Sequence, residues 1–237
     1  MLAHLQTQLI ELKHLTDTIL DVRLRLRSPA KLRFRPGEHV VVSFADGRSG
    51  AYSIASRETE CDTLRLVVRT REQKPSQFLS VPVGAELVCS APSGSLALQT
   101  AHPGAIVFCA TGTGASPLIP MLAELARIPP ANDRYLFWGV RTESDLLAYP
   151  DLEELCDISR TSLSIHVSSP TAAFRGPRSR IIAAVSEHLE RLERPTIYLV
   201  GCTQMVQELS ERLGQRVQTG RVHLRTESHQ RSGVFPK

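Results

Sequence analysis

Paired cysteines are missing from this sequence. Cys61, Cys89, Cys109, Cys156 and Cys202 stand singly, with no Cys-x-x-Cys and no cluster at metal or iron–sulfur spacing. No metal site is expected, and an electron-carrying centre other than an organic cofactor would have to come from a partner. An odd number of cysteines fits free thiols in a reducing compartment. Long apolar runs are missing too: AIVFCA (residues 105–110) is far shorter than the roughly 20 residues of a membrane helix. The first residues lack the charged and apolar regions of an export signal, so the expected location is cytoplasmic, with no membrane insertion. The net charge of +4 is spread along the chain, without the basic runs interleaved with aromatics of a nucleic-acid binder. Such mild positive charge favours an acidic protein partner. No Gly-x-Ser-x-Gly elbow is present, which argues against a serine hydrolase.

What is there suits a globular protein with a substantial core. The 237 residues are 42% hydrophobic and 22% charged, enough chain for two domains of about 100–150 residues each. The first half alternates with period two. In ILDVRLRLR (19–27), Val22, Leu24 and Leu26 fall on one face and Asp21, Arg23, Arg25 and Arg27 on the other, the pattern of a half-buried strand. EHVVVSF (38–44), after a Pro36-Gly37 turn, and LRLVVR (64–69) repeat it, which predicts a small antiparallel β-barrel.

Beyond residue 100 the rhythm becomes buried strand, loop, amphipathic helix. AIVFCA, RYLFWGV (134–140), LSIHVS (163–168), TIYLV (196–200) and RVHLR (221–225) read as strands. Helices are expected over residues 117–126, 150–156, 181–193 and 204–213. This alternation predicts a doubly wound α/β domain with a five-stranded parallel sheet, whose ligands sit beyond the carboxyl ends of the strands. The expected domains are therefore residues 1–100 and 101–237.

Two loops stand out for chemistry. CATGTGASPLIPML (109–122) runs from a strand into a helix through Gly112 and Gly114, with Ser116 a candidate N-cap and Pro117 at the first helical position. Glycines let a backbone approach a ligand closely, and the first amides of a helix suit a pyrophosphate. A tight strand-to-helix turn with no ligand is the competing reading. The run is not Gly-x-Gly-x-x-Gly, because Pro117 stands at the third glycine's place. LVGCTQM (199–205) is a second such loop, and the two would flank one crevice.

Six segments in order resemble the ferredoxin–NADP⁺ reductase family: RPGEHVVVSF (35–44), AYSIAS (51–56), PSQFL with VGAELVCSAPSGSLAL (75–98), ATGTGASPLIPML (110–122), FWGVRTESDLLAYPDLEEL (137–155) and IYLVGCTQMVQELSERL (197–213). The resemblance implies an FAD-binding barrel followed by a nicotinamide-nucleotide domain. It puts Tyr52 against the flavin ring and the Ser53 hydroxyl beside flavin N5, with Ala51, Ile54, Ala55 and Ser56 lining the same strand end. The family's arginine two residues before that tyrosine, which pairs with the FAD pyrophosphate, is Gly50 here, leaving Arg48, Arg57 or Lys74 to supply the charge. Its Gly-x-x-Ser is Gln73-Lys74-Pro75-Ser76, so Lys74 and Ser76 are the expected phosphate groups.

Gly112, Thr113, Gly114 and Pro117 match the family's nucleotide loop. Arg141 lies in the matching fifth segment, and Gly201, Cys202 and Met205 in the sixth, where the cysteine expected beside the nicotinamide is Val200. Arg180 aligns with an arginine for a 2′-phosphate, which favours NADP over NAD. Near the end, Glu227 matches a proton-exchanging carboxylate, with a solvated surface carboxylate the alternative. His229 stands at the usual aromatic's place, and Phe235 is the other candidate for that cover. The resemblance implies hydride transfer from NADPH or NADH to FAD, then single electrons to ferredoxin, flavodoxin or a haem protein. The alternatives are the reductase component of an oxygenase system, and a flavin-poor nucleotide-binding regulatory module supported by Gly50, Gln73 and Val200.

Overall fold

The computed structural model describes residues 4–99, 104–220 and 222–229. Thr100, where the first expected domain ends, and Phe235 lie outside them. The described residues form two compact units, one of residues 4–97 with 116–121, the other of residues 98–99, 104–115, 122–220 and 222–229.

The first unit is a six-stranded antiparallel sheet of β1 (His4–Thr16), β2 (Ile19–Ser28), β3 (His39–Ser43), β4 (Ser49–Ser53), β5 (Thr63–Arg69) and β6 (Glu86–Ser90). The strand order is β4-β3-β6-β1-β2-β5. An isolated antiparallel bridge, Ile54 to Leu66, joins the two ends, reinforced by the Ala55 amide donating to the Arg65 carbonyl at 2.8 Å. Closure removes the exposed edges that an open sheet would present. Val22, Leu24 and Leu26 point inward as their alternation predicts, packing with Leu9, Val40, Ile54, Leu66 and Phe78. Asp21 departs from the expected polar face. It is only 7% exposed, and Arg65 Nε donates to its Oδ1 at 2.9 Å, so a buried carboxylate is retained by pairing.

The second unit is a parallel sheet of β7 (Ile106–Thr111), β8 (Arg134–Val140), β9 (Thr161–Val167), β10 (Thr196–Cys202) and β11 (His223–His229), in the order β11-β10-β7-β8-β9. Four helices alternate with the strands: α1 (Leu118–Ala126), α2 (Leu152–Ile158), α3 (Ile181–Glu190) and α4 (Thr203–Gln218). β7 and β10 are interior strands, predominantly apolar and buried along all but their last residue, as strands covered on both faces must be. α4 turns Met205, Val206, Leu209 and Leu213 inward, while Glu208 pairs with Arg212 across one helical turn outside. α1 starts at Leu118, so Pro117 sits just before the helix and not inside it. No described helix is long and apolar enough to cross a membrane.

At the opposite end of this sheet from the loops discussed next, the Arg134 guanidinium is buried at the start of β8. Its Nη1 donates to the carbonyls of Leu125 (2.9 Å) and Ser159 (2.7 Å), and its Nη2 to that of Ile128 (3.2 Å). One cation thus closes the ends of α1 and α2, whose last carbonyls lack partners within their helices.

Candidate functional site

β7 and β10 are neighbours, but the chain leaves β7 toward β8 and β9, and leaves β10 toward β11 on the other side. The loops that follow them diverge, which opens the switch-point crevice where doubly wound sheets take ligands. The loop after β7 is a 3₁₀ turn, Gly112–Ala115, with Gly112 at φ +53°. The one closing β10 passes through Gly201 at φ +134° and enters α4 with Cys202 as N-cap.

The two loops are nested. A Cβ at Gly114 would stand 2.6 Å from the Val200 carbonyl oxygen and 2.8 Å from the Gly201 Cα, and one at Gly201 would strike the Thr111 hydroxyl oxygen. That hydroxyl accepts from the Cys202 amide at 2.8 Å. Loop-on-loop contact therefore requires glycine at both positions before any ligand is considered. Behind the first loop, Trp138 Nε1 donates to the Gly112 carbonyl at 3.1 Å and the Tyr149 hydroxyl to the Thr113 carbonyl at 3.3 Å.

Other expected residues follow the carboxyl ends of these strands along the chain. Pro117 and Met205 are buried and Cys202 is exposed. Strand pairing sets Glu227 beside Val200 and His229 beside Cys202. Arg141 is exposed just beyond β8, and its carbonyl accepts from the Ser169 amide at 2.8 Å. Arg180 is the N-cap residue of α3, and its Nη1 donates to Gln204 Oε1 in the first turn of α4 at 3.2 Å. Arg178, two residues earlier, spends its guanidinium on the carbonyls of Ala172 and Phe174 in its own loop. The loop is anchored to the sheet through His166, whose Nδ1 lies 3.1 Å from the Ser179 hydroxyl and whose Nε2 lies 3.0 Å from that of Ser164. Burial lowers the His166 pKa and favours the neutral ring.

In the barrel unit, Arg48, Gly50 and Tyr52 are spaced by two and share one face at β4. The Tyr52 ring folds over Gly50, meets Phe78 edge-on at 5.2 Å, and brings its hydroxyl 3.4 Å from Gln77 Oε1. Burial pushes the phenol up to about 12, against a smaller opposing pull from Arg48. Arg48 itself is tied to Asp46, its Nε donating to Oδ2 at 2.7 Å, which lowers the Asp46 pKa. Ala51 is exposed and Ser53 buried. Beyond β4 the side chains turn inward: Ile54 enters the core, Ala55 is buried, and the Ser56 hydroxyl donates to the Thr63 carbonyl and accepts from the Arg65 amide. Ser76 caps the 3₁₀ turn Gln77–Ser80 by accepting from the Phe78 amide, and Lys74 lies in the bridged turn just before it.

Thr111, Trp138 and Tyr149 were not singled out by the sequence. Trp138 and Tyr149 carry the one available signal, a polar atom on an aromatic ring placed in an otherwise apolar setting.

Residues 6–98 match the oxidoreductase FAD-binding domain family, and residues 108–211 the oxidoreductase NAD-binding domain family. The chain is 26% identical over 208 residues to the ferredoxin–NAD(P)⁺ reductase component of a naphthalene 1,2-dioxygenase/salicylate 5-hydroxylase system from a Ralstonia species, covering 85% of this chain and 62% of that protein. It is 27% identical over 216 residues to a probable flavin reductase of Aliivibrio fischeri, covering 86% of this chain and 88% of that one. In fold it resembles an Amycolatopsis cytochrome P450 reductase, at a TM-score of 0.79 and 23% identity over 96% of this chain and 71% of the other. Against the first three curated relatives, the chain spans 62%, 38% and 60% of their lengths. With an FAD-domain match on the barrel and an NAD-domain match on the parallel sheet, the chain belongs to the ferredoxin–NADP⁺ reductase-like family of oxidoreductases.

Proposed function

We propose that this protein is an NAD(P)H-dependent flavin oxidoreductase that takes hydride from NADPH, or NADH, and passes single electrons to a separate carrier. Residues 1–100 would bind FAD and residues 101–237 the nicotinamide nucleotide. The observation that carries this reading is the pair of nested glycine loops at the switch point of one unit, on the same chain as a barrel matching FAD-binding domains. Both sites suit their ligands: a half-exposed tyrosine next to a buried serine hydroxyl for the flavin, and a strand-to-helix glycine turn for a pyrophosphate.

Bound FAD would supply a centre that accepts two electrons together and releases them singly. In this reading Tyr52 holds the flavin ring, and Ser53 offers a hydroxyl that donates or accepts as flavin N5 changes protonation. Ala51, Ile54, Ala55 and Ser56 line the same strand end, and Lys74 and Ser76 take the phosphates. Gly112, Thr113, Gly114 and Pro117 bind the nucleotide pyrophosphate, with Gly201, Cys202 and Met205 shaping the adjoining loop. Arg141 and Arg180 address the adenosine end, and Glu227 serves as a proton-exchanging carboxylate, with His229 two residues on in the same strand. Catalysis is chiefly positioning.

An acidic carrier such as ferredoxin or flavodoxin is the proposed partner, steered by the chain's net charge of +4 in a salt-sensitive association. A cytoplasmic setting fits the five free cysteines. The similarity to a probable flavin reductase, which extends over 88% of that protein, favours a second reading, in which reduced flavin itself leaves as the product. Anaerobic mixing with FAD and NADPH or NADH, then a panel of ferredoxin, flavodoxin, haem protein and free flavin, separates these. Failure of added FAD to support any NAD(P)H oxidation would leave a nucleotide-binding module and defeat the enzyme reading.

A further inference from the structure

The carbonyls of Gly112 and Thr113 are held by two side chains that the nucleotide loop's sequence does not contain. Trp138, on β8, and Tyr149, between a 3₁₀ turn and α2, are 2% and 5% exposed. Their rings meet edge to face at 5.3 Å and 88°, so each fixes the other's orientation. The indole N–H reaches the Gly112 carbonyl and the phenol O–H the Thr113 carbonyl.

In a trans peptide the C=O of one residue and the N–H of the next point in opposite directions within one plane. Holding the Gly112 carbonyl toward Trp138 therefore turns the Thr113 amide the other way, and holding the Thr113 carbonyl toward Tyr149 does the same for the Gly114 amide. We propose that Trp138 and Tyr149 are positioning residues that latch these two carbonyls and so fix the peptide planes at the start of the 3₁₀ turn, aiming the Thr113 amide, which precedes the turn's own i→i+3 bonds, at the pyrophosphate of the nicotinamide nucleotide. The latch rests on the reading of this loop as the nucleotide site, and adds what sets its backbone. Direction is the essential property: a loop free to rotate either peptide plane would present carbonyl oxygen to an anion, which repels it.

Trp138 is the single tryptophan of the chain, so its emission reports on the loop directly. The test uses the full chain with two probes, ADP-ribose, which has the pyrophosphate, and adenosine 2′-monophosphate, which does not. Tyr149→Phe removes only the hydroxyl, and Trp138→Phe only the larger ring with its N–H. Binding to the parent and to Tyr149→Phe is followed by tryptophan emission, and to Trp138→Phe by calorimetry. Each variant is expected to bind ADP-ribose about five- to tenfold more weakly, the scale of one neutral hydrogen bond. Affinity for adenosine 2′-monophosphate is expected to stay at the parent's value. Unchanged ADP-ribose binding, or equal loss for both probes, overturns the latch. A parent that binds neither ADP-ribose nor NADPH overturns the nucleotide site itself, and the latch with it.

Discussion

The Tyr52 ring lies where a side chain at position 50 would be: a Cβ on Gly50 would come within 2.7 Å of the Tyr52 hydroxyl oxygen and 2.9 Å of two ring carbons. The absence of a side chain at Gly50 is thus matched to the pose of the aromatic two residues on. Because the obstructing atoms belong to a swinging ring and not to backbone, Gly50→Ala is expected to fold and to displace the ring from Phe78. The phenol, held at about 12 by burial, then titrates closer to its ordinary 10. Ultraviolet titration of the phenolate, with Tyr52→Phe to assign it, checks this. An unshifted titration in Gly50→Ala would mean the ring does not depend on the glycine. Tyr52→Ala is expected to loosen FAD and shift its visible spectrum.

Ser53 is the buried hydroxyl at the end of the same strand. If it serves flavin N5, Ser53→Ala slows flavin reduction by NADPH by about 100-fold, the lower end of what one positioned proton donor or acceptor contributes. Affinity for NADPH changes little. Stopped-flow reduction at the parent's rate would remove Ser53 from the chemistry.

Much of this architecture is written in local pattern, and what is not has identifiable causes. β2 and β8 follow from their periodicity because each has a simple environment, one face buried or both. β1 escapes that logic. Gln6, Gln8, Glu11 and Lys13 are good helix formers, and register shifts at Gln6/Thr7, Leu9/Glu11 and His14/Thr16 break its alternation. The glycine loops are legible because glycine has few competing explanations. That Gly114 and Gly201 serve one another is not, since their contact joins residues far apart in the chain. The same holds for Trp138 and Tyr149, whose hydrogen bonds to Gly112 and Thr113 leave no mark at either position.

The two arginines before α3 divide their tasks. Arg178 braces its own loop, while Arg180 reaches Gln204 beside the crevice. Arg180→Ala is therefore expected to raise the KM for NADPH by about tenfold or more, as for loss of one charged hydrogen bond, and to leave that for NADH near the parent's. Arg178→Ala should affect both coenzymes alike through the loop. Equal responses to Arg180→Ala would remove it from 2′-phosphate recognition.

His166 ties this loop to β9 as a neutral ring, since burial lowers its pKa from 6.5. The unfolded chain then takes up a proton near pH 6.5 that the fold resists, so the stability His166 contributes is present above 6.5 and is lost as pH falls below it. His188, lowered by burial and by Arg191, adds to the same slope. Denaturant unfolding at pH 7.5 and 5.5 is expected to show that loss, and His166→Gln to reduce it. An unaltered slope in His166→Gln would assign the acid sensitivity elsewhere.

Arg134 carries the largest expected effect on stability. Its guanidinium serves three backbone carbonyls at the ends of α1 and α2 and just beyond them, in a buried setting that lowers its pKa. Arg134→Leu has comparable volume but no donors, leaving those carbonyls to find new partners. The expected cost is about 2–4 kcal/mol, near the upper range for a single substitution. Arg134→Lys keeps the charge and loses the fork, so it recovers part of that cost and no more. Thermal unfolding followed by Trp138 emission, which reports on the same sheet, measures both. A Leu variant as stable as the parent would show that water replaces the guanidinium at no cost, and that this buried cation does not secure the two helix ends.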